Sequence, residues 1–198
     1  NYGEAQFGLG WTYAQLEEYD KALLPLQTAL KAKPRMVASH FTLGRVFVAL
    51  GEHSKAIKHF KRTLEIDPIY PDAYFEMGQS FSEQNKFNEA AQAFKDTLEL
   101  SPNYYEAYIG IGLAYINSNR NEEAIEPLKN AITINPGYAD SYEHLGAAYQ
   151  NLGEHEKALS SYLDFARIDF RSPVAHFKLG VAYSRLGRDR DAIKSFQE

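Results

Sequence analysis

The chain has 198 residues, a formal net charge of −5, a hydrophobic share of 44% and no cysteine. The mild acid excess excludes a nucleic-acid binder, which needs a basic face to displace counterions. The lack of cysteine excludes a disulfide frame, a thiol nucleophile and a cysteine-type zinc site.

No apolar run reaches the length of a membrane span and no secretory leader opens the sequence, so no membrane insertion is expected and the compartment expected is the cytoplasm. The chain begins at Asn1 without a methionine and stops at Glu198 inside a predicted helix, which reads as a fragment.

Gly10, Gly44, Gly78, Gly112, Gly146 and Gly180 follow one another at a fixed spacing of 34 residues. A fixed period of this length is the mark of a stack of equivalent units. The repeats are 3–36, 37–70, 71–104, 105–138, 139–172 and a truncated 173–198, a single array over 1–198. Within each, position seven is large and apolar (Leu9, Leu43, Met77, Ile111, Leu145, Leu179), position eight is Gly, and position eleven is Tyr or Phe. Position twenty is Ala throughout, and position twenty-four is Leu26, Phe60, Phe94, Leu128, Tyr162 and Phe196. Positions four, seven, eight and eleven share one helical face, and twenty, twenty-four, twenty-seven and twenty-eight share another. Each repeat therefore predicts two amphipathic helices, with the small residues at eight and twenty letting their backbones approach. Each first helix, at about 14 residues, spans roughly 21 Å.

The turns support these boundaries. Gly51, Asn85, Asn119, Gly153 and Gly187 recur at position fifteen, where a left-handed residue ends the first helix. Asp20, Ser54 and Asn88 at position eighteen are the expected N-caps of the second helices. Pro34, Pro68, Pro102 and Pro136 stop those helices. Phe170 replaces the fifth proline, but Ser172-Pro173 supplies an N-cap followed by proline at the first helical position, so no break is expected there. Pro25 and Pro127 fall in the second turn of their helices and predict a bend rather than a stop.

These residues resemble the tetratricopeptide repeat family over nearly the whole chain. The resemblance implies an all-α fold, a right-handed α-solenoid of six helix-turn-helix repeats, with the first helices lining a concave face that binds a peptide or a folded partner. It also implies that positions two, five, six, nine, twelve and thirteen face that groove. On that basis the candidate partner-binding residues are Phe7, Trp11, Phe41, Arg45, Val48, Phe75, Glu76, Gln79, Ile109, Leu113, Ile116, Asn117, Glu143 and His144. They form an apolar ladder with acidic residues along the middle repeats, an arrangement suited to apolar anchors with basic flanks. Members of the family that hold acidic chaperone tails use Lys, Asn and Arg in this groove. Here position two is never basic, positions six and nine carry no Asn, and Arg45 and Lys178 stand four repeats apart.

No catalytic constellation is present. Among the six histidines, His40 and His176 fill the position-four aromatic slot as packing residues. His53 and His155 sit in matching turns and are expected in solvent, His59 lies on an outer helix, and His144 alone should face the groove. No HExxH pair, phosphate loop or Rossmann fingerprint occurs, so no metal, no cofactor and no enzymatic activity are expected. The function expected is a protein-interaction scaffold. The alternatives are the regulatory or recruiting region of a longer enzyme, and a solenoid that self-associates through its uncapped ends.

Overall fold

A computed structural model describes residues 2–198. The described residues form twelve α-helices joined by short turns, with no strand among them. Two compact units divide the chain, 1–102 and 103–198.

The first unit contains α1 (Tyr2–Gln15), α2 (Tyr19–Ala32), α3 (Val37–Ala49), α4 (His53–Ile66), α5 (Pro71–Glu83) and α6 (Phe87–Leu100). Each odd helix packs antiparallel on the even helix that follows it, and α2 and α4 pack on the next pair. The odd helices also touch in sequence, α1 on α3 and α3 on α5. The second unit repeats the plan with α7 (Tyr105–Asn117), α8 (Asn121–Ile134), α9 (Ala139–Asn151), α10 (His155–Ile168), α11 (Pro173–Arg185) and α12 (Asp189–Gln197).

The glycine comb has a steric cause. A Cβ on Gly112 would stand 2.6 Å from Leu128 Cγ, and one on Gly146 would stand 2.5 Å from Tyr162 Cε1. In each repeat the large side chain at position twenty-four lies on the glycine, while the alanine at position twenty is buried. A hydrogen is the only side chain that fits there, which outweighs the roughly 1 kcal/mol that glycine costs within a helix.

All six first helices end in the same way. Glu17, Asn85 and Asn119 have φ of 59°, 57° and 61°, and Gly51, Gly153 and Gly187 have 72°, 76° and 70°. Beyond the left-handed residue, the Glu52 N–H donates to Phe47 O at 2.8 Å and the Gly51 N–H to Val48 O at 2.9 Å, the two bonds of a Schellman motif. The same pair of bonds closes α1, α5, α7, α9 and α11. The motif delivers the chain straight into the second helix, which starts two residues earlier than the turn chemistry suggests. Asp20, Ser54 and Asn88 are therefore not N-caps. They lie inside the first turns of α2, α4 and α6, whose cap positions are Glu18, Glu52 and Lys86 with no side-chain cap bond.

At the starts of α2, α4, α8, α10 and α12 a charge pair is laid over a ring. Lys21 pairs with Glu18 at 2.7 Å and lies 5.9 Å from the Tyr13 ring. Arg120 pairs with Glu123 at 2.5 Å and lies 4.4 Å from the Tyr115 ring. Arg188 pairs with Asp191 at 2.8 Å and lies 4.6 Å from the Tyr183 ring. The carboxylates sit at helix N-termini, where the dipole favours them, and the cations cover the aromatic at position eleven.

Pro25 and Pro127 do not stop their helices, which run on continuously through them. Ser172 caps α11 by accepting from the Ala175 N–H at 3.3 Å, and Pro173 takes the first helical position.

Candidate functional site

In the first unit, α1, α3 and α5 enclose an open cleft of about 540 Å³. Six residues named from the sequence line it: Phe7, Trp11, Phe41, Arg45, Val48 and Glu76. The helical register places them there, because positions five, nine and twelve recur on one face of successive first helices. Trp11 is 48% exposed, high for the only tryptophan of the chain. Phe41 is half-buried, its ring tilted against Tyr70 with centroids 4.9 Å apart and against Phe60 behind it at 5.8 Å.

The cleft also has walls beyond the residues named from the sequence. Glu17 and Tyr70 line it from the turns, Tyr19 from the start of α2, and Ala38 and Ala49 open it from α3. Positions two and thirteen are Ala38 and Ala49 in repeat two, whereas repeats three to five carry Asp72, Glu106 and Asp140 at the first and Glu83, Asn117 and Asn151 at the second. Depth comes from side chains that are missing, and those two alanines were the available signal.

Charge in the cleft is mixed, with acid in excess. Arg45 Nε lies 3.5 Å from Glu76 Oε1. Burial pushes the Glu76 carboxyl pKa up, opposed by Arg45 and reinforced by Asp72. Glu17 adds a second carboxylate to the lining.

The other residues named from the sequence are not gathered into this cleft. Phe75 is half-buried on Phe94, with centroids 5.5 Å apart, and Gln79 is exposed outside the lining. Phe177 leans on Phe196 in the same way at 6.0 Å. Position five thus packs partly on position twenty-four of its own repeat, and this corrects the reading of Ile109 as a contact residue. Ile109 is only 7% exposed and so offers a partner little surface. In the second unit Leu113, Ile116 and His144 are half-buried and Asn117 is exposed. Glu143 Oε1 lies 3.5 Å from Lys178 Nζ. Burial lowers the His144 pKa, with Glu143 and Asp140 pulling the other way.

Of the remaining histidines, His53 and His155 depart from the sequence reading. His59, on the second helix α4 as expected, is half-buried, stacked at 5.5 Å on Phe47, with its Nδ1 3.2 Å from His40 Nδ1. Burial, with help from His40, brings its pKa down to about 4. His53 and His155 are half-buried, each with an enclosed Nδ1, because the Schellman turn folds them back against the hairpin. Among the described residues no group of three or more His, Asp or Glu is placed to hold a metal ion, and no helix is long and apolar enough to cross a membrane.

Comparison with known proteins agrees with this geometry. Models described as "TPR repeat" match residues 44–84 and 112–153. Models described as "Tetratricopeptide repeat" match residues 3–36 and 139–171, 81–126 and 174–198. No curated protein sequence matches the chain. Among solved structures, the MamA protein is 24% identical, with a TM-score of 0.81 over 86% of this chain and 93% of that one. The pilF protein of Pseudomonas aeruginosa is 21% identical, with a TM-score of 0.80 over 98% of this chain and 88% of that one. YrrB, described as a TPR protein with an unusual peptide-binding site, is 18% identical, with a TM-score of 0.71 over 86% of this chain and 88% of that one. These likenesses establish the fold. With family models matched from residue 3 to residue 198 and a shared architecture of paired helices, the chain belongs to the tetratricopeptide repeat family.

Proposed function

We propose that the chain is a non-catalytic interaction scaffold whose cleft in repeats one to three takes a peptide or helical segment with apolar anchors and basic flanks. The observation that carries this reading is the half-exposed Trp11 in a cleft shared with Phe7, Phe41 and Tyr70, with Glu76 and Glu17 in its lining. Exposed aromatic surface in a concave setting is the usual form of an interaction site, and helix-in-groove recognition uses such anchor pockets. The family provides scaffolds for protein partners, and the peptide-binding site described for YrrB is a precedent on the same fold.

The test uses acetylated and amidated ten-residue peptides with a Leu-Phe-Leu core flanked by Arg, Gln or Glu. Trp11 is the single tryptophan, so its emission reports on the cleft directly. A saturable change in emission with the Arg-flanked peptide, lost when Leu-Phe-Leu becomes Ser-Ser-Ser, supports the reading. No change with any of the three contradicts it.

A second reading, self-association, has its own observation. Leu9 is 45% exposed although position seven is buried in every other repeat. At the opposite end, Ile193 and Phe196 are 58% and 51% exposed although their counterparts in α4, α6 and α10 are buried. These are the faces that repeats use to stack. Light scattering over a hundredfold concentration range should then show growth that Leu9→Lys abolishes, and a constant monomer mass would rule it out.

A further inference from the structure

The cleft of repeats one to three already contains a cation of its own. Arg45, on α3, reaches towards Glu76, on α5, with Nε 3.5 Å from Oε1. That distance exceeds the roughly 2.7–2.9 Å of a charge-assisted hydrogen bond, and the fork-to-fork geometry that strengthens arginine–carboxylate pairs is not made. The two partners are also unequally hydrated. The Glu76 side chain is 21% exposed and the Arg45 side chain 59%. Glu76 has thus given up most of its water for one long contact, and Arg45 has given up little.

The surroundings favour a second cation. Glu17 lines the same cleft, and Asp72 acts on Glu76 as a neighbouring negative charge. Trp11 and Phe41, also in the lining, are aromatic side chains of the kind that attract a guanidinium. A carboxylate arriving from a partner would meet Arg45 but also the field of Glu76 and Glu17. A basic group would meet two carboxylates and a single arginine that can withdraw into water at small cost, since most of its side chain is already there.

We infer that Arg45 is a placeholder: the basic side chain of a bound peptide displaces it and takes its position against Glu76. This rests on the peptide-groove reading and adds a selectivity device to it. A neutral or acidic partner leaves the Arg45–Glu76 contact in place and must fit around it. A basic partner exchanges a long, single-point contact for a shorter one in a drier cleft, where a charge pair counts for more. Glu76 is the specificity-determining residue and Arg45 competes with the ligand.

The experiment measures Kd from Trp11 emission for the Arg-flanked and Gln-flanked Leu-Phe-Leu peptides on the wild type, Glu76→Gln and Arg45→Met. Both substitutions keep the length of the side chain, and circular dichroism checks that helix content is retained. On the wild type the Arg-flanked peptide is expected to bind about tenfold tighter than the Gln-flanked one. Glu76→Gln should erase that preference, while Arg45→Met should tighten the Arg-flanked peptide about threefold. Equal affinity for both peptides on the wild type overturns the inference and leaves the groove reading intact. Weaker binding of the Arg-flanked peptide to Arg45→Met overturns it as well, because Arg45 would then be a contact and not a competitor. A flat Trp11 response to both peptides takes down the groove reading and the inference together.

Discussion

The two units share one scaffold and differ on one face of their first helices. At position nine the first unit has Trp11, Arg45 and Gln79, and the second has Leu113, Ala147 and Val181. At position five the first has Phe7, Phe41 and Phe75, whereas the second has a buried Ile109, Glu143 paired with Lys178, and Phe177. Repeat two is cut back to Ala38 and Ala49, while repeats four and five keep Glu106, Asn117, Asp140 and Asn151 at the same positions. Asn151 is in turn occupied, its Nδ2 donating to Asn121 Oδ1 at 2.9 Å. Both units keep the glycine at position eight and the large residue lying on it. Stability is therefore built from what the repeats have in common, and the recognition proposed above rests on a few positions where one unit has lost bulk.

The comparison is tested most severely through the shared glycines. Gly112→Val and Gly146→Val push a branched side chain into Leu128 or Tyr162, and Gly10→Val does the same against Leu26 in the first unit. Each should destabilise by about 3 kcal/mol, read as a lower urea midpoint, with similar values in both units. A tolerated substitution in either unit would show that the comb is not a packing constraint there.

Binding should separate the units where stability does not. Trp11→Ala combined with Phe41→Ala is expected to weaken the Arg-flanked Leu-Phe-Leu peptide by about a hundredfold, measured by anisotropy of a labelled peptide. Leu113→Ala with Ile116→Ala should stay within about twofold. Equal losses in the two variants would mean that the first unit is not the preferred site.

Acid should act through the histidines. His59 is lowered to about 4 from an ordinary value of 6.5, so the folded chain binds fewer protons than the unfolded chain between those pH values. Its contribution to stability is present above pH 6.5 and is lost as the pH falls towards 4. His40 and His144 are lowered too and act in the same direction. The thermal midpoint should fall over this window, and His59→Phe should make the fall shallower without removing it. An unchanged slope would mean that the His40–His59 contact does not persist in solution.

The smallest effect concerns the turns. Glu17 adopts a left-handed conformation that a side chain resists, whereas its counterpart in repeat five is Gly153. Glu17→Gly should stabilise by about 1 kcal/mol and Gly153→Glu should cost about as much, both read from urea melts. Opposite signs in the two units are the point of the pair.

The fold was legible because its determinants are positive signals at fixed spacing: a glycine, an alanine and a large residue in register predict a hairpin, and six of them predict a stack. The second-helix caps were misread for an instructive reason. Asp20, Ser54 and Asn88 have the chemistry of caps, but the Schellman bond starts the helix before them, so their side chains are not called upon. Glu17 was invisible as a left-handed residue because its type argues against that conformation. Trp11, Phe41, Arg45 and Glu76, which line one cleft, were legible because bulk and charge show in a sequence. Ala38 and Ala49 were missed because a cleft is an absence, and Ile109 was misplaced because period alone does not say which way a side chain leans.

Hydrogen exchange, with and without the Arg-flanked Leu-Phe-Leu peptide, tests the central claim most directly. Added protection is expected in α1, α3 and α5, with α7 and α9 unchanged. Protection confined to α7 and α9, or spread evenly over both sets of helices, would contradict the assignment of recognition to repeats one to three.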